Sequence, residues 1–547
     1  MLKARICMLN GGIEMPRRAK ISLHPSYVKG EISPRLFGAF LEPIGNMVIG
    51  SMWKPDHPTA DDKGFRQDFM QSLIDAGLPS VRFGGNYVSG WRWKNSVGPV
   101  ENRKPLIDRS RSCFIPKEVG ADEYLTWIER VNADIMWTLN LGTDDIDASI
   151  DFIDYTNVES GLEWADKRIE FGREKPYNIK IFYLGNEMDG PWQVASWEKD
   201  PVGYGVKARE VSKALKYTDG SVETIACVSS CPFLTHYPDW DRQVLEQCYE
   251  VVDYISLHHY HSALPGDIGA LMAGVKAYEN YIDTEIALSD YIRTMLRTEK
   301  TMYISLDEYG SSFRPQRGNP QYGMNGNMPV DTFFSFPNRG FRSQDPNVWN
   351  QFGPSRVGEM AMALANASTM LAMVRRADRV KIGCATGGLG MLCATDKDHV
   401  WKAAAYYPMT DLIRYARGKS ILPIVECETY DVPSYAVDDQ NQYNDFHDVP
   451  YITAAAALND EAGEFTVFIA NGDWEEDEDL TLDIRSFEGY RFVEHTAMYS
   501  DDFEAANSYE HPDNIKPIVC EDTQCEDGIL NATLNKLSWN MFRFEKI

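Results

Sequence analysis

The sequence lacks long apolar runs and an excess of positive charge. No stretch approaches the roughly 18 consecutive apolar residues of a membrane-spanning helix, and residues 1–20 hold no apolar run long enough for a secretion signal. Lysine and arginine number 54 against 81 aspartates and glutamates, a net charge of −27. Such a charge repels nucleic acids and anionic membranes. We therefore expect a cytoplasmic protein with neither partner, preceded by a disordered leader at 1–18.

Several chemical motifs are also missing. None of the ten cysteines forms a CxxC pair, and Cys227 and Cys231 have no histidines at zinc-finger spacing. We expect free thiols of a reducing compartment, with a Cys520–Cys525 bridge as the less favoured alternative. There is no GxSxG elbow, and GGLG at 387–390 lacks both the phosphate-loop lysine and the dinucleotide spacing. We interpret those glycines as turn residues.

What the sequence does contain, within its 547 residues, is an alternation of β-rich runs and helical stretches. The runs occupy 35–43, 80–86, 134–142, 179–187, 223–230, 253–260, 301–308 and 379–388, and the helical candidates include 64–77, 121–132, 201–219 and 357–377. Strand-then-helix repetition calls for a parallel sheet. Eight units predict an α/β fold of the (β/α)8 barrel type. An open doubly wound sheet is the alternative, less favoured because acidic residues cluster where the strands end.

The pattern changes after about residue 415. Runs at 452–459, 464–472, 479–487 and 537–546 alternate apolar and polar residues, as strands of an antiparallel β-sandwich do. A further strand at 19–25 is expected to join this jelly-roll-like sheet pair. The predicted domains are therefore an N-terminal strand (19–30), a barrel (31–412) and a C-terminal sandwich (413–547). A long Gly-, Pro- and Asn-rich loop at 310–350 is expected to form a lid or substrate wall.

Carboxylates follow four of the predicted barrel strands: Glu42, Asp144, Glu187 and the pair Asp307–Glu308. Barrel enzymes place their chemistry at these C-terminal strand ends. Glu187 follows the fourth strand and Glu308 the seventh, so the two face each other across part of the barrel mouth. Their carboxylates would then approach to about 5 Å, the separation of a retaining glycosidase pair. Structural ion pairing of each carboxylate is the alternative.

A nucleophilic carboxylate must stay ionised, and it therefore needs donors. Arg82 ends the second strand and Tyr260 follows the sixth, and both are candidates for contacting Glu308. Strand alternation in HHYH puts His258 with Tyr260 on one face, and His259 with His261 on the other. Two histidines without a clear third ligand make a weak zinc site. We therefore expect His258 to form hydrogen bonds at the site and expect no metal there.

Five segments in this order resemble glycoside hydrolase family 51, the α-L-arabinofuranosidases. They are GAFLEPIG (38–45), RFGGNYVSGWRWKNSVGP (82–99), GNEMDGPWQ (185–193), DYISLHHY (253–260) and LDEYG (306–310). The resemblance covers most of the chain and implies a barrel whose sandwich takes strands from both chain ends. It also implies no cofactor, an oligosaccharide substrate and a homo-oligomer, often a hexamer.

The same resemblance implies roles for individual residues. Glu187 would be the general acid/base, Glu308 the nucleophile, and Asn186 a contact to the sugar 2-hydroxyl. The remaining candidate substrate-binding residues are Glu42, Arg82, Asn86, Trp192, His258 and Tyr260. The expected reaction is the exo-acting, retaining release of terminal non-reducing α-L-arabinofuranosyl residues from short oligosaccharides.

Three departures from the family pattern keep other substrates open. RFGGN replaces RYPGGN, Ser312 stands where many members carry a Trp after the nucleophile, and WKA (Trp401, Lys402, Ala403) replaces WRQ. A β-D-xylosidase, a β-D-galactofuranosidase or an endo-β-1,4-glucanase on the same scaffold is therefore an alternative. A carbohydrate-binding protein without catalysis is another, although both carboxylates are present.

Overall fold

The computed structural model of the protein describes residues 17–43, 47–104, 106–109, 113–313, 359–387, 389, 392–433 and 445–547. The predicted leader lies almost wholly outside these residues. So does the predicted loop at 310–350 beyond Phe313, and its role as a lid therefore stays a prediction.

Eight parallel strands close into a barrel, and each overlaps one of the eight predicted runs, although the sixth and seventh strands extend beyond their runs, to Ala263 and Phe313. In chain order they are Gly38–Leu41, Ser80–Phe83, Asp134–Thr138, Ile181–Leu184, Glu223–Cys227, Tyr254–Ala263, Tyr303–Phe313 and Val380–Ala385. We call these the first to eighth barrel strands. Neighbours in the chain are neighbours in the barrel, and the eighth pairs with the first. The predicted (β/α)8 barrel is confirmed, and the open doubly wound alternative is wrong.

Each barrel strand is followed by a helix that covers the outside of the barrel. These eight helices are Gln67–Ala76, Ala121–Val131, Ile146–Asn157, Pro201–Thr218, Asp239–Cys248, Gly274–Leu296, Met360–Val374 and Tyr406–Tyr415. Two shorter helices lie at Glu163–Glu170 and Ile268–Met272. Single 3-10 turns lie at Pro34–Phe37, Asn86–Gly90, Trp93–Asn95 and Val100–Asn102. Local sequence sets their ends. Asp145 caps one helix by accepting a hydrogen bond from the Ala148 amide, and Gly77 ends another in the left-handed region.

The helix Met360–Val374, within the helical candidate at 357–377, is buried along its whole length. One side contacts the barrel strands, and the other packs against the sandwich strands Ile452–Asn459 and Glu464–Asn471. Arg375, just beyond the helix, donates to the carbonyl of Ala454 at 2.9 Å. The barrel and sandwich therefore share one continuous apolar core.

The C-terminal region forms two packed sheets. The five-stranded sheet runs in the order Ile424–Glu426, Arg17–Ser22, Glu478–Asp483, Ile529–Leu534, Gln524–Glu526, and the seven-stranded sheet in the order Val28–Glu31, Lys419–Ile421, Ile452–Asn459, Glu464–Asn471, Ser538–Lys546, Tyr490–Tyr499, Ile518–Val519. Three small hairpins complete the fold: Leu106–Asp108 with Cys113–Ile115, Cys393–Thr395 with Val400–Lys402, and Thr429–Val432 with Phe446–Pro450.

Two N-terminal strands join the sandwich, one in each sheet, where the sequence predicted one. Arg17–Ser22 lies between two C-terminal strands and runs parallel to Glu478–Asp483, so this pair departs from the antiparallel pattern. The domain limits given above remain predictions, and the last barrel helix extends to Tyr415, beyond residue 412.

The sequence analysis also made predictions about membrane-spanning helices and about the cysteines. None of the helices in the described ranges combines the length and apolar character that crossing a membrane requires. Eight cysteines, including Cys520 and Cys525, are free thiols.

Candidate active site

Glu187 and Glu308 lie at the C-terminal mouth of the barrel, as predicted from the strand ends. Both are nearly buried, with 8% and 6% of their surface exposed. A carboxylate oxygen of one lies within 4.8 Å of a carboxylate oxygen of the other. Retaining glycosidases hold their two carboxyl groups about 5 Å apart, whereas inverting enzymes need a wider gap for a water molecule.

A strained turn presents Glu187. The fourth barrel strand ends at Leu184, and Gly185 and Glu187 then adopt positive φ angles of 101° and 46°. A non-glycine residue in the left-handed region costs conformational energy and is common at functional sites. The turn is closed by the amide of Gly190, which donates to the carbonyl of Glu187 at 2.9 Å.

A β-bulge presents Glu308. Leu257 of the sixth strand pairs with Leu306, but the next residue, His258, pairs with Glu308, so Asp307 is an extra residue in the seventh strand. A bulge changes the direction in which the following side chain points. Asp307 and Glu308 therefore both contact barrel-mouth residues, although consecutive residues of a regular strand face opposite sides.

Two donors hold the Glu308 carboxylate. Nη1 of Arg82 donates to Oε1 at 2.7 Å, and the hydroxyl of Tyr260 donates to Oε2 at 2.7 Å. The Tyr260 hydroxyl also lies 2.8 Å from Oγ1 of Thr386 at the end of the eighth strand. Burial opposes the charge of Arg82, but Asp307 and Glu308 outweigh it and raise the guanidinium pKa. Glu308 thus faces a permanent cation.

Glu187 has different partners. The indole Nε1 of Trp192 donates to its Oε2 at 2.5 Å, and Nδ1 of His258 lies 3.0 Å from its Oε1. The other His258 nitrogen, Nε2, lies 3.3 Å from Oδ2 of Asp307. Burial alone would lower the pKa of His258, but Glu308, Asp307 and Glu187 outweigh it and raise the pKa to about 10. His258 is therefore a doubly protonated donor near neutral pH.

A chain of amides continues from Arg82 along the mouth. Nη2 of Arg82 donates to Oδ1 of Asn186 at 2.7 Å, and Nδ2 of Asn186 donates to Oδ1 of Asn86 at 3.0 Å. Gln193 also donates to Oδ1 of Asn86. This network fixes the orientation of both asparagine amides, which are polar groups of the kind that bind sugar hydroxyls.

Glu42 completes the set of predicted residues at the mouth. It is 4% exposed and follows the first barrel strand. Its carboxyl carbon lies 2.2 Å from the position that a Cβ on Gly85 would occupy, and Gly85 has a φ of 99°. The contact therefore requires glycine at position 85. Asp144, the remaining strand-end carboxylate, is half-buried beyond the third strand, where burial raises its pKa, and it belongs to a separate cluster with Arg92 and Lys207.

The sequence analysis missed two residues of this network, Gln193 and Thr386, and it named a third, Asp307, as a strand-end carboxylate without giving it a role. Gln193 lies in the quoted GNEMDGPWQ segment, and Thr386 directly follows the eighth barrel strand, so position alone could have indicated both. Regular strand alternation with Glu308 argues against Asp307 at the mouth, and only the bulge brings it there.

Glu187, His258 and Glu308 are also close enough to one another to hold a metal ion. Their contacts favour another use, because the carboxylate oxygens already receive hydrogen bonds from Trp192, Arg82 and Tyr260. His258, with a pKa of about 10, offers protons rather than a lone pair near neutral pH. The donor set therefore suits proton transfer.

Opposed carboxylates at this spacing, at the mouth of a (β/α)8 barrel, define the class of protein: a glycoside hydrolase. The family model "Alpha-L-arabinofuranosidase 1 domain" matches residues 73–284, and "Alpha-L-arabinofuranosidase C-terminal domain" matches residues 343–538. The chain belongs to glycoside hydrolase family 51, the α-L-arabinofuranosidases.

Similar proteins support this assignment over the full length. An intracellular exo-α-(1→5)-L-arabinofuranosidase of Bacillus subtilis is 32% identical over 97% of this chain and 99% of its own. One of Halalkalibacterium halodurans is 32% identical over 97% and 100%. The solved structure of a family 51 α-L-arabinofuranosidase from Bifidobacterium longum is 26% identical, with a TM-score of 0.81 over 97% of this chain and 100% of that one.

The departures from the family pattern lie in well-defined places. Ser312 is half-buried near the end of the seventh strand. Trp401 donates to the carbonyl of Asn507 at 3.0 Å, and the Lys402 ammonium lies 4.7 Å from the centre of the Tyr406 ring. These contacts engage Trp401 and Lys402 outside the hydrogen-bond network of Glu187 and Glu308.

Proposed function

We propose that the protein is a cytoplasmic, exo-acting α-L-arabinofuranosidase that removes terminal non-reducing arabinofuranosyl residues from short oligosaccharides with retention. The observation that carries the mechanism is that two carboxylates with unlike partners approach to within 4.8 Å. The substrate and the location rest on the names of the relatives, which are intracellular exo-arabinofuranosidases. A homo-oligomer, often a hexamer in this family, remains a prediction.

In the first step, Oε2 or Oε1 of ionised Glu308 attacks the anomeric carbon while the bond to the leaving oxygen breaks. Glu187 gives its proton to that oxygen, and a covalent glycosyl ester with Glu308 forms. In the second step, Glu187 takes a proton from a water molecule, whose oxygen attacks the anomeric carbon and releases Glu308. Two inversions return the original anomeric configuration.

The asymmetry of the partners supports this division of roles. Arg82 and Tyr260 hold Glu308 oriented for attack. Trp192 and His258 orient Glu187, which must alternately hold and release a proton. Glu42, Asn86 and Asn186 would contact the hydroxyls of the terminal sugar, with Asn186 at the 2-hydroxyl.

The first test is hydrolysis of four 4-nitrophenyl glycosides: α-L-arabinofuranoside, β-D-xyloside, β-D-galactofuranoside and β-D-glucoside. We expect the arabinofuranoside to give the highest kcat/KM. Faster hydrolysis of another glycoside would overturn the substrate assignment and leave the mechanism standing. Hydrolysis of none, with binding of arabino-oligosaccharides intact, would contradict the enzyme and support a binding protein.

The roles of the two carboxylates are separated by rescue with azide. Glu308→Ala and Glu187→Ala should each lower kcat by several orders of magnitude on substrates with poor leaving groups. With an activated substrate, azide should restore turnover of Glu187→Ala and give the glycosyl azide of retained configuration. Azide with Glu308→Ala should give the inverted azide. The opposite stereochemistry in the two variants would exchange the assignments.

A further inference from the structure

Asp307 is fully buried beside Glu308, and neither step of the proposed reaction uses it. Its Oδ2 lies 2.8 Å from Nε of Arg82, accepts a hydrogen bond from Oγ of Ser256 at 3.0 Å, and lies 3.3 Å from Nε2 of His258. One carboxylate oxygen thus contacts both cations of the site. Arg82 in turn holds Glu308, and His258 holds Glu187.

The charges of the groups that hold Glu187 and Glu308 balance only if Asp307 is counted. Arg82 and protonated His258 supply two positive charges. Ionised Glu308 and ionised Asp307 supply two negative charges, and the cluster is then neutral with Glu187 protonated, the form that the first step requires. With a neutral side chain at 307, two cations would face one carboxylate, and they would favour loss of the proton from Glu187 or His258.

The other titratable groups that face Asp307 are neutral. They are Tyr183 of the fourth strand, Cys227 of the fifth and Cys384 of the eighth, and burial raises the pKa of each, with a smaller contribution from Asp307. The charge of Glu187 also acts on Cys231 and Tyr260, whose pKa values are likewise raised mainly by burial. The charge of Asp307 is therefore met by Arg82 and His258 in the part of the chain that the structure describes.

We propose that Asp307 is a positioning residue of the reaction. It keeps His258 doubly protonated with Nδ1 directed at Glu187, and it balances the second cation so that Glu187 retains its proton for the first step. This inference rests on the proposed roles of Glu187 and Glu308. It adds a third carboxylate that acts through both of them and touches no substrate.

The test is Asp307→Asn, which keeps the size and one acceptor oxygen but removes the charge. Removing a negative charge lowers the proton affinity of the whole cluster, whichever side chain carries the proton. Both limbs of the pH profile of kcat/KM should move to lower pH by about one unit. At a fixed pH on the alkaline limb, this shift lowers kcat/KM about tenfold relative to the maximum of the profile. The substrate is whichever 4-nitrophenyl glycoside the wild type cleaves fastest.

Ser256→Ala is the matched control, because it removes a neutral donor to Asp307 without changing charge. The two limbs of its pH profile of kcat/KM should lie at the same pH values as in the wild type. If Asp307→Asn loses activity while its limbs also stay unchanged, Asp307 is only structural and the proposal is overturned. Asp307→Glu should move the limbs back toward those of the wild type.

A measurement that needs no turnover separates this proposal from the assignment of the reaction. The imidazole of His258 is followed by NMR from pH 5 to 9 in the wild type and in Asp307→Asn. His258 should stay doubly protonated to pH 9 in the wild type and titrate at lower pH in the variant. Titration of wild-type His258 near its usual value of about 6.5 would overturn the proposal even if Asp307→Asn fails to fold.

Discussion

At the scale of single residues, the two carboxylates differ in what donates to them. Glu308 is held by a permanent cation and a phenol, Arg82 and Tyr260. Glu187 is held by an indole and an imidazolium, Trp192 and His258. Unlike environments are how a protein keeps two neighbouring carboxyl groups in different protonation states.

Gly85 is a residue at which a single methyl group should disturb the site. A Cβ there would lie 2.2 Å from the Glu42 carboxyl carbon, and the φ of 99° is unfavourable for other residues. Gly85→Ala should therefore displace Glu42 and lower kcat/KM at least tenfold, in addition to a stability loss of roughly 1–3 kcal/mol from the backbone alone. The kinetics and the thermal midpoint are measured together.

Gly161→Ala is the control for Gly85→Ala. Gly161 has a similar φ of 88°, and nothing lies within 4 Å of its added Cβ. Gly161→Ala should lose stability because of its backbone conformation, while its kcat/KM stays unchanged. Equal kinetics for the two alanine variants would refute the idea that the Gly85 contact positions Glu42.

At the scale of elements, two helices behind the site share a buried acidic pair. Asp241, in Asp239–Cys248, accepts hydrogen bonds at 2.6 Å from both the amide and the hydroxyl of Ser229. Glu285, in Gly274–Leu296, is also fully buried beside it. Burial, with a smaller contribution from Asp189, raises the pKa of Asp241 to about 7, and burial together with Asp241 raises the pKa of Glu285. The two carboxyl groups therefore share a proton at neutral pH.

This pair should make the protein less stable as the pH rises. An acid with a raised pKa stabilises the fold fully below its unfolded pKa, about 4, and the contribution is lost as the pH rises through the folded value, about 7 for Asp241. Glu285→Gln keeps a hydrogen-bonding partner for Asp241 and removes one titrating group. Between pH 5 and 8 the wild type should lose about 1–2 kcal/mol more stability than this variant, in urea unfolding.

The same helix supplies the control for Glu285→Gln. Burial opposes the charge of Glu279, but Arg375 and Arg376 outweigh it and lower its pKa, so Glu279→Gln should destabilise by a constant amount between pH 5 and 8. If the free energy of unfolding of Glu285→Gln changes with pH as steeply as that of the wild type, the acidic pair does not titrate in this range.

At the scale of the whole molecule, the barrel and the sandwich are joined through the core. The N-terminal strand Arg17–Ser22 lies inside the five-stranded sheet, and Met360–Val374 lies between the barrel and the other sheet. Trp539 of the sandwich donates to Asp411 of the last barrel helix at 2.9 Å. We expect the two parts to unfold together.

Ile21→Ala tests this cooperativity far from the active site. Ile21 is fully buried between the sheets, and its truncation should cost about 2–5 kcal/mol. Heat inactivation and the circular dichroism transition should shift down together. Val28→Ala, at a 46% exposed position of the next strand, is the control and should shift neither the heat inactivation nor the circular dichroism transition appreciably. The opposite result would be two separate transitions in Ile21→Ala, one shifted down and one at the wild-type temperature, with activity lost only in the second. It would show that the barrel unfolds independently of the sandwich.

Most of the barrel and the central residues of the site could be predicted from the sequence. Each predicted β-run overlaps its strand because periodicity and turn residues are local signals. Glu187 and Glu308 could be proposed from strand ends alone, since the ends of parallel strands meet at one face. Asp307 could not, because the bulge depends on how two strands pair. The full burial of Met360–Val374 depends on a sheet nearly a hundred residues later.

The sequence by itself determined the class of fold, the two carboxylates and the order of the segments around them. These depend on local patterning and on which residue ends which strand. Only the tertiary structure decided that Asp307, Arg82 and His258 form one charge-balanced cluster, and that an N-terminal strand lies inside a C-terminal sheet. Such features depend on distances between residues remote in the chain, and those distances are set by packing and strand register.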